Sequence, residues 1–177
     1  MGKYVRIISK SYIRGVDLLI LITLGTQDKP FYRLLEAVQK QIDNKKINDK
    51  VIVQAGISAD FKSKDMEIFD LIPMDEFDKL ISECDVLITH GGVGSIITGI
   101  KNNKKVIAAA RLKRYGEHVN DHQLQIIENF VNSGYILPLD NFNELDVVLD
   151  KTTKFKAKKF KSNTKEFINL IKKEIDS

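Results

Sequence analysis

The chain reads as an α/β domain, a Rossmann-like parallel sheet with helices on both faces. Three observations predict it. Short, apolar, β-rich runs at residues 18–24, 51–55, 86–89 and 106–110 alternate with segments of helical spacing. The runs are apolar at consecutive positions, so each strand is covered on both faces. Helical segments separate successive runs, which makes neighbouring strands parallel.

Residues 18–24 (LLILITL) suit the centre of such a sheet. Gly25-Thr26-Gln27-Asp28 is the turn behind them, and Pro30 fits a helix first turn. Apolar residues at 31, 34, 35, 38 and 42 have helical spacing over 31–42. A polar loop at 44–50 leads to the strand at 51–55, which Gly56-Ile57-Ser58 ends. A connection at 61–64 precedes a short strand at 67–72, closed by Pro73. Asp75 is placed to cap a helix over 76–84 with Phe77, Leu80 and Ile81 apolar.

The strand at 86–89 enters a glycine-rich turn, and a helix follows at 96–100. A polar turn at 101–105, a strand at 106–110 and a polar loop come next. The helix over 121–130 carries Leu124, Ile127 and Phe130 on one face and ends near Gly134. Residues 135–139 read as a strand, 143–149 as a short helix and 152–162 as a lysine-rich crossing segment. Asn163 or Thr164 caps a last helix with Phe167, Ile168, Ile171 and Ile175 on one stripe. The chain thus divides into a basic N-terminal extension (1–17), a Rossmann-like domain (18–150), and a lysine-rich segment with an amphipathic helix (151–177).

At 177 residues this is a single domain of ordinary size. No run of 18 apolar residues occurs, so no transmembrane helix is expected. A lone cysteine, Cys84, precludes an internal disulfide and is expected to pack beside its strand. The net charge of +4 is uneven: residues 151–177 hold nine lysines and three acids, and residues 1–16 hold four basic residues and no acid. Such ends are either solvated or attracted to an anionic membrane face or acidic partner. Basic and aromatic residues do not interleave into a base-stacking platform, so nucleic acid is not an expected partner.

The stretch with most chemistry is 85–123. In DVLITHGGVGS a strand meets His90, Gly91, Gly92, Val93, Gly94 and Ser95, and a helix starts. Glycines let backbone approach an anion, and a helix N-terminus attracts negative charge. Ser95 adds a hydroxyl donor and His90 a ring N–H. By local pattern alone a structural βα turn fits as well. Beyond the next strand lies RLKRYGEHVNDHQ, dense in groups that suit sugar hydroxyls. Both segments follow strand carboxyl ends, where open α/β sheets bind ligands.

THGGVGS, then KKVI, then RLKRYGEHVNDHQLQ resembles the C-terminal, donor-binding half of family 28 glycosyltransferases. The chain looks most like the small stand-alone subunits of bacterial polysaccharide synthesis, the PssE/EpsF kind. A eukaryotic cytosolic transferase subunit of lipid-linked oligosaccharide assembly is related. The resemblance implies one half of a GT-B glycosyltransferase. It implies a UDP-sugar as substrate, no cofactor, and no nucleic acid. It also implies a membrane-anchored partner subunit that holds a polyprenyl-diphosphate-linked acceptor. The place would be the cytoplasmic face of the membrane, in exopolysaccharide or capsule synthesis.

The resemblance assigns residues as well. Gly25 and Thr26 would line the donor pocket, and the loop with Ile72 would contact the base through backbone. The turn at 90–95 would hold the diphosphate, and Arg111 and Lys113 are either further cations for it or surface charges. Asn120, Asp121 and Gln123 would face the sugar. From the residues themselves, His118 or His122, or Glu117 in the same loop, is a candidate acid or base, and in the resembled fold the acceptor's base is supplied by the partner. Two positions depart from the pattern: Thr98 stands where a glutamate commonly holds the ribose, and Ala110 where proline commonly precedes the arginine. No DxD-type carboxylate pair lies beside the site and the three histidines lack zinc-helix spacing, so no metal is expected. Two other readings stay open: a nucleotide-binding regulatory or scaffold module without transfer activity, and a self-sufficient hydrolase or epimerase using His118 and Glu117.

Overall fold

The computed structural model describes residues 18–160. The basic extension at 1–17 and the expected last helix with Phe167, Ile168, Ile171 and Ile175 lie outside the described residues. In chain order the elements are β1 (Leu19–Thr23), α1 (Tyr32–Asp43), β2 (Lys50–Gln54), β3 (Met66–Phe69), α2 (Met74–Glu83) and β4 (Val86–His90). Then come α3 (Val93–Lys101), β5 (Lys105–Ala109), α4 (His122–Asn132), β6 (Leu137–Pro138) and α5 (Leu145–Lys154).

The six strands form one parallel sheet in the order β3-β2-β1-β4-β5-β6. The chain leaves β1 toward one edge and returns to β4 on the other side of β1. The β1/β4 border is therefore the topological switch point, where open α/β sheets take ligands at the strand carboxyl ends. Alternate strand residues explain the continuous apolar runs. Ile20, Ile22, Val51, Val53 and Ile88 join Leu34, Leu35 and Val38 of α1 and Leu145 and Val148 of α5 in one core. Leu21, Ile52, Leu87 and Val106 join Leu80 and Ile81 of α2, Ile96 and Ile100 of α3 and Ile127 of α4 in the other. Cys84 is buried in this second core.

Several boundaries differ from the sequence reading, each for a physical reason. Pro73, not Asp75, is the N-cap of α2; Asp75 and Glu76 sit in its first turn, where carboxylates favour the helix dipole. α3 starts at Val93 instead of 96, because the glycine turn is only two residues long. Leu124 is 44% exposed, and the buried face of α4 is Gln123 with Ile127. β6 shrinks to two residues, Leu137 and Pro138, set beside Ile107 and Ala108 of β5; Pro138 has no N–H to give, and the Leu139 N–H donates to Ala108 O at 2.8 Å. α5 runs to Lys154 with Thr152 buried, so the boundary expected at residue 150 falls inside a helix.

Candidate functional site

The glycine turn is organised around His90, the last residue of β4. Gly92 is the N-cap of α3 and has no side chain to cap it. The first intrahelical bond runs from Ile96 N–H to Gly92 O at 3.2 Å. The N–H groups of Val93, Gly94 and Ser95 are thus those a helix leaves without intrahelical partners, and they form the anion-attracting end of its dipole. The imidazole lies between two glycines: a Cβ on Gly92 would fall 2.4 Å from Nε2, and one on Gly25 2.6 Å from Cε1. Nδ1 is 3.4 Å from Thr23 O. Burial lowers the His90 pKa to about 4; the Thr23 carbonyl opposes this, while Arg111 and His118 add to it. The ring is neutral at pH 7. With its N–H at Nδ1 toward Thr23, Nε2 offers a lone pair, not the donor the sequence reading assigns to His90.

The turn behind β1 is held by a buried amide. Gln54 Oε1 accepts from Thr23 Oγ1 at 2.9 Å, and its Nε2 donates to Gly25 O at 3.3 Å and Asp70 O at 3.1 Å. Gly25 has φ +73°, a conformation that glycine adopts without strain. Thr26 is exposed at the tip of this turn, and Ile72 is half-buried in the loop after β3.

The segment after β5 closes the other side. Arg111 is 1% exposed, so it is neither a surface charge nor a free ligand cation. Its Nη2 donates to Leu24 O at 2.7 Å and its Nη1 to Lys29 O at 2.6 Å, with Phe31 stacked 4.9 Å away. Burial lowers its pKa to about 10, with Glu117 opposing, and it stays charged at pH 7. Glu117 is buried and accepts from Arg33 Nε at 2.9 Å, Arg33 Nη2 at 2.7 Å and Leu112 N–H at 2.9 Å. Arg33 is thus paired with the Glu117 carboxylate, while the Arg111 guanidinium is held by backbone carbonyls.

His118 Nδ1 accepts the Asn120 N–H at 3.2 Å, which puts its own proton on Nε2. Asp121 Oδ1 accepts the Lys113 N–H at 2.8 Å, and Asn120 Oδ1 accepts the His122 N–H at 3.1 Å. Gln123 Oε1 accepts the Arg111 N–H at 2.9 Å. A Cβ on Gly91 would lie 2.8 Å from Gln123 Cβ. The two polar segments therefore meet where Gln123 packs on Gly91. Thr98 Oγ1 donates to Gly94 O at 2.9 Å within its own helix.

The structure thus gathers His90, Gly25, Gly91, Gly92, Gln123 and Arg111 at the switch point; Ile72 lies in the loop between β3 and α2, and Thr98 lies within α3. The sequence reading missed Arg33. A basic residue among the apolar positions 31, 34 and 35 of α1 was the available signal. Among the described residues, no group of three or more His, Cys, Asp or Glu could hold a metal, and no helix is long and apolar enough to cross a membrane.

With its glycine turn and polar loop converging at the switch point, the domain has the fold of the Rossmann-like half of GT-B glycosyltransferases. The chain belongs to the glycosyltransferase family 28 C-terminal domain, whose model matches residues 19–176. It is 28% identical over 109 residues to the UDP-N-acetylglucosamine transferase subunit ALG13 of Candida albicans, a match covering 62% of this chain and 36% of that protein. Its fold is similar to the glycotransferase of kitacinnamycin (TM-score 0.59, 16% identity, 86% of this chain and 38% of that one). It is also similar to the solution structure of ALG13 (TM-score 0.52, 19% identity, 87% and 94%).

Proposed function

We propose that the chain is the donor-binding subunit of a two-component glycosyltransferase. It would move a sugar from a UDP-sugar to a polyprenyl-diphosphate-linked saccharide held by a membrane-anchored partner, in exopolysaccharide or capsule synthesis. The observation that carries this reading is the packing of Gln123 against Gly91, which joins an anion-attracting helix end to a sugar-type loop. A related yeast protein is itself a UDP-N-acetylglucosamine transferase subunit, which supports the two-component form. Lys151, Lys154, Lys156, Lys158 and Lys159 fit work at the anionic cytoplasmic face of a membrane.

In this mechanism the acceptor hydroxyl attacks the anomeric carbon, and the bond from that carbon to the diphosphate oxygen breaks. UDP leaves with the bonding electron pair. The N–H groups of Val93–Ser95 oppose the charge that develops on it. Gln123 presents its amide NH2, and His118 its Nε2–H, toward the donor. The acceptor proton passes to a base on the partner. Glu117, locked between Arg33 and Leu112, acts as an anchor instead of a proton carrier.

Calorimetric titration tests the reading. UDP should bind in preference to ADP, and Ser95→Ala should weaken UDP binding by about two- to tenfold, the loss of one hydrogen bond. Equal binding of UDP and ADP, or binding of neither, removes the donor reading. A nucleotide-binding regulatory module is the second reading, favoured by Thr98, whose hydroxyl proton is spent inside its own helix. Sugar transfer by the reconstituted pair would eliminate it.

A further inference from the structure

The loops behind β1 and β5 flank β4 in the sheet, and two arginines tie them across it in opposite directions. Arg111, from the β5 loop, reaches the carbonyls of Leu24 and Lys29 behind β1. Arg33, from α1, reaches both carboxylate oxygens of Glu117 and the carbonyl of Ala110 at 3.0 Å. The Arg33 guanidinium is enclosed by aromatic rings, 4.0 Å from Phe142 and 4.5 Å from Tyr115. A planar, five-donor fork fits this enclosure; an ammonium does not.

The tie continues inward. Glu117 also accepts the Leu112 N–H, so one carboxylate grips both the entry and the exit of the loop 112–117. The neighbouring Arg111 N–H holds the oxygen of the Gln123 amide. Fixing the oxygen fixes the direction of the amide NH2. The orientation of Gln123 is thus set by a chain of bonds that begins on α1. Arg33 also lines a cavity of about 290 Å³ with Ala110, Leu112, Asp121, Leu124 and Phe142.

We infer that Arg33 is a positioning residue for the donor's sugar: through Glu117 it holds the 111–123 loop so that Gln123 faces the sugar. The inference rests on the donor-binding reading. It separates two parts of one ligand. The nucleotide and its diphosphate meet the β3 loop and the glycine turn, which Arg33 does not support. The sugar meets the loop it does support.

The test compares wild type, Arg33→Met and Arg33→Lys. The ligands are UDP and, as sugar-bearing probes, UDP-N-acetylglucosamine, UDP-glucose and UDP-galactose. In the Met variant the UDP dissociation constant should stay within about twofold, while that of the best UDP-sugar should rise about tenfold, the worth of one well-oriented hydrogen bond. Arg33→Lys should fall between. Without ligand, amide hydrogen exchange at Leu112 should accelerate in the Met variant while β1 and β4 amides stay protected. If the Met variant does not fold, Arg33→Lys carries the same comparison. Equal loss for UDP and UDP-sugar, or no loss with unchanged Leu112 exchange, overturns the inference alone. Wild-type protein that binds no UDP and no UDP-sugar overturns the donor reading and the inference with it.

Discussion

The Nε2 atom of His90 lies where a side chain on residue 92 would begin: a Cβ there would be 2.4 Å away. Gly92 has φ −78° and ψ 125°, so the requirement for glycine is the neighbouring ring and not backbone strain. Gly92→Ala should displace the imidazole, lower stability by about 1–3 kcal/mol through overpacking, and weaken UDP binding. Gly94 is the control. A Cβ there meets nothing within 4 Å, and it lies inside α3. Gly94→Ala should leave stability unchanged or raise it by up to about 1 kcal/mol. Urea unfolding of both variants checks the contrast.

The same ring makes stability depend on pH. Its folded pKa of about 4 lies below the ordinary 6.5, so between those values the unfolded chain binds a proton that the folded chain excludes. The His90 contribution is therefore intact above about pH 6.5 and is lost as pH falls toward 4, by up to about 3 kcal/mol. His90→Gln should flatten this part of the profile. Urea midpoints at pH 7.5, 5.5 and 4.5 measure it, and parallel profiles for the two proteins would refute the assignment.

Gln54 is irreplaceable in a different way. Its amide serves as acceptor for Thr23 and donor to Gly25 and Asp70 from a buried position. Gln54→Leu leaves these partners without it, and Gln54→Glu keeps the shape but cannot donate when ionised. Both should cost about 1–3 kcal/mol. Both should also loosen the turn at Gly25, read as faster amide exchange at residues 25–27.

Gly99 brings α3 close to the sheet. A Cβ there would lie 2.6 Å from both Leu87 Cδ2 and Val106 Cγ2. Alanine is the better helix former by about 1 kcal/mol, yet Gly99→Ala should destabilise by about 1–3 kcal/mol, because two core side chains must move. A rise in the thermal midpoint would contradict the packing described.

The strands were legible because consecutive residues such as Ile20, Leu21 and Ile22 feed opposite cores, which leaves an unbroken apolar run. The glycine turn and the 111–123 loop were legible as a pair because each follows a strand end. What escaped depended on contacts distant in sequence. Arg33 and Glu117 are 84 positions apart, and nothing local marks Glu117 as an anchor instead of an acid. Arg111 was read as a cation for ligand or solvent, but carbonyls of Leu24 and Lys29 bury it. On α4, Gln123 takes the inward position that hydrophobicity alone gives to Leu124, because its amide is needed at Arg111.

Because all six strands point the same way, the strand carboxyl ends that carry His90 lie at one end of the sheet and the strand amino ends at the other. The turns at 44–49 and 102–104 sit at the strand amino ends, a full strand length from His90 and Gln123. Lys45 and Asn103 already adopt positive φ values of 56° and 55° there. A fluorophore or affinity handle introduced at either turn would report on or immobilise the protein from the end opposite His90 and Gln123.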